Sequence, residues 1–300
     1  MDFPIILGSA VVGLLVGLTG AGGGALMTPM LILIFSVKPS SAISSDLVAT
    51  LFMRPVGAAI HMRSGTVNFE LVGWMSAGSV PAAFAGTYVL HLLGKGTGAQ
   101  GTVEIALGAA LLVGAGAMAL RYAVDRRTGQ DRDEAMSSIL LHRLPTMGIG
   151  VIGGFVVGIT SVGAGSLMVI LLMFLYPTLS AKRLVGTDLA QAIPLTAAAA
   201  FGSLIFGHVL LAVTTAVIAG GIPGVIAGSL LATRVPDRFL RPVIGLAIFG
   251  SGLKYVGVGN IALGLALLGV VIAAAVAYGI RATIRQRAPQ AIGARAAAHR

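Results

Sequence analysis

Asp46, Arg54 and Asp188 stand in or beside long apolar stretches, where a charge is costly and functional by default. Arg54 is near the middle of the apolar run 46–62 and is followed by Pro55. His61 lies seven residues further on, nearly on the same helix face. A fixed guanidinium offers a fork of donors to a carboxylate, sulfite or sulfonate. Arg54 could equally be structural and snorkel to the inner face, where Arg63 lies. Asp46 and Asp188 could carry a coupling proton. They could also cap helices, the favoured reading here, because each stands at the start of an apolar run. Gln191, Thr50 and Thr196 are candidate cavity liners on the same runs.

Two glycine-rich breaks accompany these charges. Residues 17–27 read GLTGAGGGALM and residues 158–168 read GITSVGAGSLM. Glycine-interrupted apolar segments at matching positions in two halves point to a transporter binding site. A helix that resumes near Ala25 starts with unsatisfied N–H groups and a positive dipole end, which suit an anion. The candidate substrate-binding residues are therefore Thr19, Gly22, Gly23 and Gly24 in the first break. In the second they are Ser161, Gly163, Gly165 and Ser166. Thr28 and Thr160 add hydroxyls nearby, and Arg54, His61 and Gln191 complete the set. The alternative is close helix packing, the better reading of Gly13-x-x-x-Gly17 and Gly150-x-x-x-Gly154.

The breaks belong to an internal duplication. From Asp46 onward the two copies hold an offset of 142 residues. Ser45-Asp46-Leu47 matches Thr187-Asp188-Leu189, and Gly78-x-x-Pro81 matches Gly220-x-x-Pro223. Gly86 matches Gly228 and Gly108 matches Gly250. Across the breaks the offset is 141.

Composition sets the solvent. The chain is 56% hydrophobic and only 10% charged, with a mean hydropathy of +0.97. Continuous apolar runs long enough for a bilayer recur throughout, so the expected class is an all-α integral membrane protein, not a β-barrel. The N-terminal MDFP lacks a basic region, so the first segment reads as retained. The net charge of +10 lies in short loops and in the tail after Ile280, which is topology information and not a nucleic-acid footprint. There are no cysteines, so no disulfide or thiolate metal site is available, and no cofactor or metal is called for.

The arginines of 121–143 and of the tail place both on the cytoplasmic side. Counting crossings back from the tail makes segments 3–37 and 144–176 return to the face they started from. At ~1.5 Å per residue, the arms 3–18 and 25–37 fall short of a ~30 Å core. Each break then reads as the tip of a re-entrant hairpin. One hairpin plus about three crossings per copy makes the two repeats inverted. The expected organisation is a first membrane repeat at 1–123, a cytoplasmic linker at 124–143 and a second repeat at 144–258. A C-terminal transmembrane helix at 259–281 and a basic cytoplasmic tail at 282–300 follow. The expected location is a bacterial cytoplasmic (inner) membrane, with the N-terminus outside and the C-terminus cytoplasmic.

These residues resemble the sulfite exporter TauE/SafE family of multi-pass bacterial transporters. The resemblance is carried by the glycine break followed by Leu26-Met27-Thr28-Pro29, by SSDLVATLFMRPVGAAIHMRSGTVNF at 44–69 and by GTDLAQAIP at 186–194. It implies export of small sulfur-containing or organic anions, of the sulfite, sulfoacetate or organosulfonate type. Two departures stand out: the second break reads Gly163-Ala164-Gly165, and Ile170 replaces the proline expected opposite Pro29. Related thiosulfate uptake proteins depend on cysteines, and this chain has none. The expectation is thus a secondary transporter working by alternating access and coupled to the proton gradient. An uncoupled anion channel or uniporter is the alternative. An enzyme is not expected, since neither His-Glu-x-x-His nor Gly-x-Ser-x-Gly occurs. The expected partners are a small anion and the lipid bilayer, with a homodimer allowed and nucleic acid excluded.

Overall fold

A computed structural model describes residues 3–19, 24–63, 67–94, 99–127, 141–162, 167–176, 179, 181–231 and 237–269. Among the described residues all regular structure is α-helical. The helices are α1 (Phe3–Thr19), α2 (Gly24–Leu33), α3 (Pro39–Arg63), α4 (Phe69–Leu93) and α5 (Ala99–Arg127), then α6 (Arg143–Thr160), α7 (Leu167–Leu175), α8 (Ala181–Phe206), α9 (Leu211–Leu231) and α10 (Asp237–Tyr255). These belong to one unit ending at Gly257. A second unit begins at Val258, and its described residues form α11 (Asn260–Gly269).

Among the described residues, four stretches are long and apolar enough to cross a membrane: Gln100–Leu120, Arg143–Thr160, Gly186–Phe206 and Leu211–Leu231. The helices before and after each break are unequal. At ~1.5 Å per residue, α1 and α6 reach ~26 and ~27 Å, while α2 and α7 reach only ~15 and ~14 Å. The second arm of each pair is far too short for a ~30 Å hydrocarbon core.

Packing does not follow chain order. α1 packs mainly on α9 and α6 mainly on α4. α4 also packs on α8, and α9 on α3, while α3 meets α8 and α5 meets α10. Exchanging α1–α5 for α6–α10 leaves this set of partners unchanged.

Small residues make the two main seams. A side chain at Gly13 or Gly17 would strike the backbone of Gly221, Val225 and Ser229 on α9. Across the same seam, Gly220, Gly224 and Gly228 lie against Ile6, Ala10 and Leu14 of α1. The α4–α6 seam repeats the pattern: Gly150, Gly154 and Gly158 lie against Met75, Ser79, Ala83 and Gly86. Both small-x-x-x-small pairs named from the sequence are thus packing residues, placed where backbones touch.

Hydrophobic burial follows the same cross-over. Met27, Leu31, Ala49, Met53 and Val217 join α2, α3 and α9 in one cluster, with Ile5 and Val12 of α1. Leu47, Met75, Val157, Met168, Leu172 and Leu195 join α3, α4, α6, α7 and α8 in another. α3 contributes to both, so it runs through the centre of the unit.

Two hydrogen bonds fix the crossings. The backbone N–H of Leu210, just before α9, donates to Ser45 Oγ at 3.0 Å. The backbone N–H of Asn68, just before α4, donates to Thr187 Oγ1 at 3.0 Å. Ser45 and Thr187 are repeat mates, and so are Asn68 and Leu210. In each case a hydroxyl of one copy satisfies an N–H beside a helix start in the other. The side chain of Asn68 meanwhile caps α4, accepting from the N–H groups of Glu70 and Leu71.

Candidate functional site

The described ends of the two glycine breaks meet. Gly24 opens α2, and a Cβ built on it would collide with the carbonyl and side chain of Ser161. Ser161 ends α6 in a left-handed conformation, with φ 58°, and its N–H bonds the carbonyl of Val157. The positive start of α2 therefore lies against the carbonyl end of α6.

Asp46 lies at this junction, fully buried. Thr28 of α2 donates its hydroxyl to Asp46 Oδ2 at 2.7 Å. Ser161 donates to the same oxygen at 2.8 Å. Thr50, one turn along α3, donates to Oδ1 at 3.1 Å. One carboxylate thus gathers three hydroxyls from three helices, two of them flanking the separate breaks.

The capping reading of the two aspartates is overturned by the helix boundaries. Asp46 stands inside α3, which begins at Pro39, and Asp188 stands inside α8, which begins at Ala181. α8 starts within three residues of the apolar run 184–206, so Asp188 was already inside that run, whereas α3 starts about two turns before the apolar run 46–62. Polar residues such as Ser40, Ser41, Ser44 and Ser45 hid that first part. Neither aspartate faces an unsatisfied first turn.

Arg54 is two turns beyond Asp46 on α3 and is half-buried. The charges that act on it are those of Asp188, first, and Asp46. α3, which carries Asp46 and Arg54, packs against α8, which carries Asp188. The Arg54 Nε atom is buried and has no hydrogen-bond partner. Formally, one positive charge faces two negative ones, a sum that matters in a medium where charges interact strongly.

Gln191 is fully buried one turn beyond Asp188 on α8. Its Nε2 donates to Ser79 Oγ on α4, and its Oε1 has no partner. Thr196, the repeat mate of Arg54, is turned inward on its own helix, donating to the carbonyls of Ala192 at 2.6 Å and Ile193 at 3.1 Å. The second copy therefore puts a self-satisfied hydroxyl where the first puts a cation.

Of the residues named from the sequence, the structure brings Gly24, Ser161, Asp46 and Thr28 together and puts Arg54 and Asp188 on the packed helices α3 and α8. Gly22, Gly23, Gly163, Gly165 and Ser166 lie outside the described residues. So do the side chains of Thr19 and His61. Sequence reasoning missed Ser79, as well as the roles of Ser45 and Thr187. A signal for the last two existed: a hydroxyl residue precedes the aspartate in both copies. Among the described residues no group of three or more metal-ligating side chains occurs.

The chain matches the model of the family described as Sulfite exporter TauE/SafE over residues 5–255. It is 38% identical over 257 residues to the "Probable membrane transporter protein YjnA" of Bacillus subtilis (strain 168), covering 85% of this chain and 100% of that one. It is 30% identical over 267 residues to a "Probable membrane transporter protein" of Xylella fastidiosa (strain Temecula1 / ATCC 700964), covering 83% and 93%. A second Bacillus subtilis protein, "Probable membrane transporter protein YdhB", is 24% identical over 257 residues, covering 83% and 98%. No solved structure matches the chain.

Proposed function

This chain belongs to the sulfite exporter TauE/SafE family of membrane transporters, and from that premise we propose that it exports small sulfur-containing or organic anions by alternating access, coupled to the proton gradient. The reading places it in the cytoplasmic membrane, with the N-terminus outside and the C-terminus cytoplasmic. It takes the two copies as inverted repeats, each a broken hairpin with about three spanning helices.

One observation carries the reading. Arg54 has a buried Nε donor that no protein group accepts from. It stands on the central helix, beside the residues that join the two breaks. A guanidinium with a spare donor in a low-dielectric site favours an oxyanion. Sulfite and sulfonates present pairs of oxygens on one sulfur that such a fork can engage. The exchange of packing partners between the copies supports two states related by symmetry, which alternating access requires.

The test is transport by the purified protein in liposomes, with sulfite, sulfoacetate, sulfate and a simple carboxylate as substrates. Saturable uptake with counterflow, abolished in Arg54→Ala but not in a surface variant, is the expected result. Non-saturating conductance without counterflow would replace the carrier with a channel. Transport that is unchanged in Arg54→Ala would remove the anion anchor.

A further inference from the structure

We propose that Asp46, rather than its repeat mate Asp188, is the group that takes up the coupling proton, and that Thr28 and Ser161 form with it a latch which protonation releases. The proposal rests on the coupled-transporter reading above and adds the residue and the mechanical consequence.

The asymmetry is built into the sequence. The residues matching Thr28, Thr50 and Ser161 in the other copy are Val169, Ala192 and Gly20, none with a hydroxyl. The hydroxyl set that donates to Asp46 is therefore not repeated at the matching positions of the second copy. Asp188 instead is the carboxylate whose charge acts most on Arg54.

The chemistry of the carboxylate makes these bonds conditional. Ionised Asp46 is an acceptor only, and Oδ2 accepts from both Thr28 and Ser161. A proton arriving from water on Oδ2 turns that oxygen into a donor. It can no longer accept both hydroxyls, and one must turn away or yield its place. The bonds that persist are no longer charge-assisted, so they are roughly half as strong. Because Thr28 belongs to α2 and Ser161 ends α6, what weakens is the link between the two breaks.

The helices that bring Thr28 and Ser161 to Asp46 are poor in charge. Arg54 acts on Asp46 from the same helix. α2 and α9 carry no titratable side chain, and the titratable residue of α6, Arg143, opens that helix at the opposite end. Asp188 and Arg183 on α8, Glu104 on α5, and Glu70 and His91 on α4 lie on helices packed against α3, so the Asp46→Asn variant is what separates their titration from that of Asp46.

The absence of cysteine makes the latch directly readable. Ser161→Cys gives a single thiol at a buried position, and Thr28→Cys gives a second, independent one. Each variant would be placed in liposomes and labelled with a membrane-impermeant maleimide from mildly alkaline to mildly acidic pH. Because thiolate reactivity itself falls with acid, rates are normalised to the detergent-unfolded protein. The expected result is normalised labelling several-fold faster at acidic pH. With Asp46→Asn added, that pH dependence disappears. Normalised labelling that is flat with pH in both single-cysteine variants would overturn the proposal, and so would a pH dependence that survives Asp46→Asn. The outcome is separable from the transport reading. A protein that moves none of the tested anions yet shows Asp46-dependent labelling loses its proposed substrate but keeps its latch.

Discussion

Gly24 lies against the carbonyl of Ser161, so closely that no side chain fits between them. The two residues are far apart in sequence, and each flanks a different glycine break. Their contact makes one site from two repeats.

A methyl group at position 24 should therefore be disruptive. Gly24→Ala must push against backbone, not against the flexible end of a side chain. Overpacking of this kind costs about 1–3 kcal/mol. The expected outcome is a lower Tm, measured with purified protein in detergent. Gly73→Ala, at an open position on α4, serves as the control that should not move. Equal Tm values for the two variants would contradict the contact.

Arg54 supplies the donor proposed for the anion. Removing a charge-assisted hydrogen bond costs about 1.5–3 kcal/mol, or roughly 10- to 100-fold in affinity. Arg54→Ala should abolish the rise in thermal stability that a bound anion produces. Arg54→Lys should keep the charge but lose the fork, leaving a partial response. An anion-induced shift of wild-type size in Arg54→Ala would exclude this arginine from the binding site.

Ser45→Ala and Thr187→Val should have similar effects. Each removes the acceptor of a backbone N–H at the junction between copies, Leu210 in one case and Asn68 in the other. Leaving such a donor unsatisfied costs about 1–3 kcal/mol. Both variants should lower Tm by a few degrees without removing anion binding. A large loss in one and none in the other would show that the two junctions are not equivalent.

Gln191 and Ser79 are joined by a buried hydrogen bond between α8 and α4. A double-mutant cycle with Gln191→Leu and Ser79→Ala should give a coupling energy of about 0.5–1.5 kcal/mol in unfolding stability. Additive single losses would mean that the contact is incidental.

Much of the fold was legible in the chain. The apolar runs gave helices, because a bilayer accepts only backbone that satisfies its own hydrogen bonds. The glycine runs marked breaks, and at the second of them α6 does end at Thr160, with Ser161 left-handed beyond it. Gly150 and Gly154 were readable as packing residues, since small side chains at four-residue spacing permit backbone contact. The start of α3 was not legible. Its first turns are polar, and hydropathy alone cannot see a helix whose polar end is buried by its neighbours.

The sequence by itself determined that there are two copies, where each breaks, and that Asp46, Arg54 and Asp188 are costly enough to matter. Those are properties of residue type and spacing, which need no partner. Tertiary structure decided that Thr28 and Ser161 share one oxygen of Asp46, that Arg54 and Asp188 stand on helices packed together, and that α1 packs on α9 while α6 packs on α4. The physical reason is range: hydrogen bonds and backbone contacts act over a few ångströms. Only the folding of α6 against α4 and of α2 onto α3 brings Ser161 and Thr28 within that range of one carboxylate.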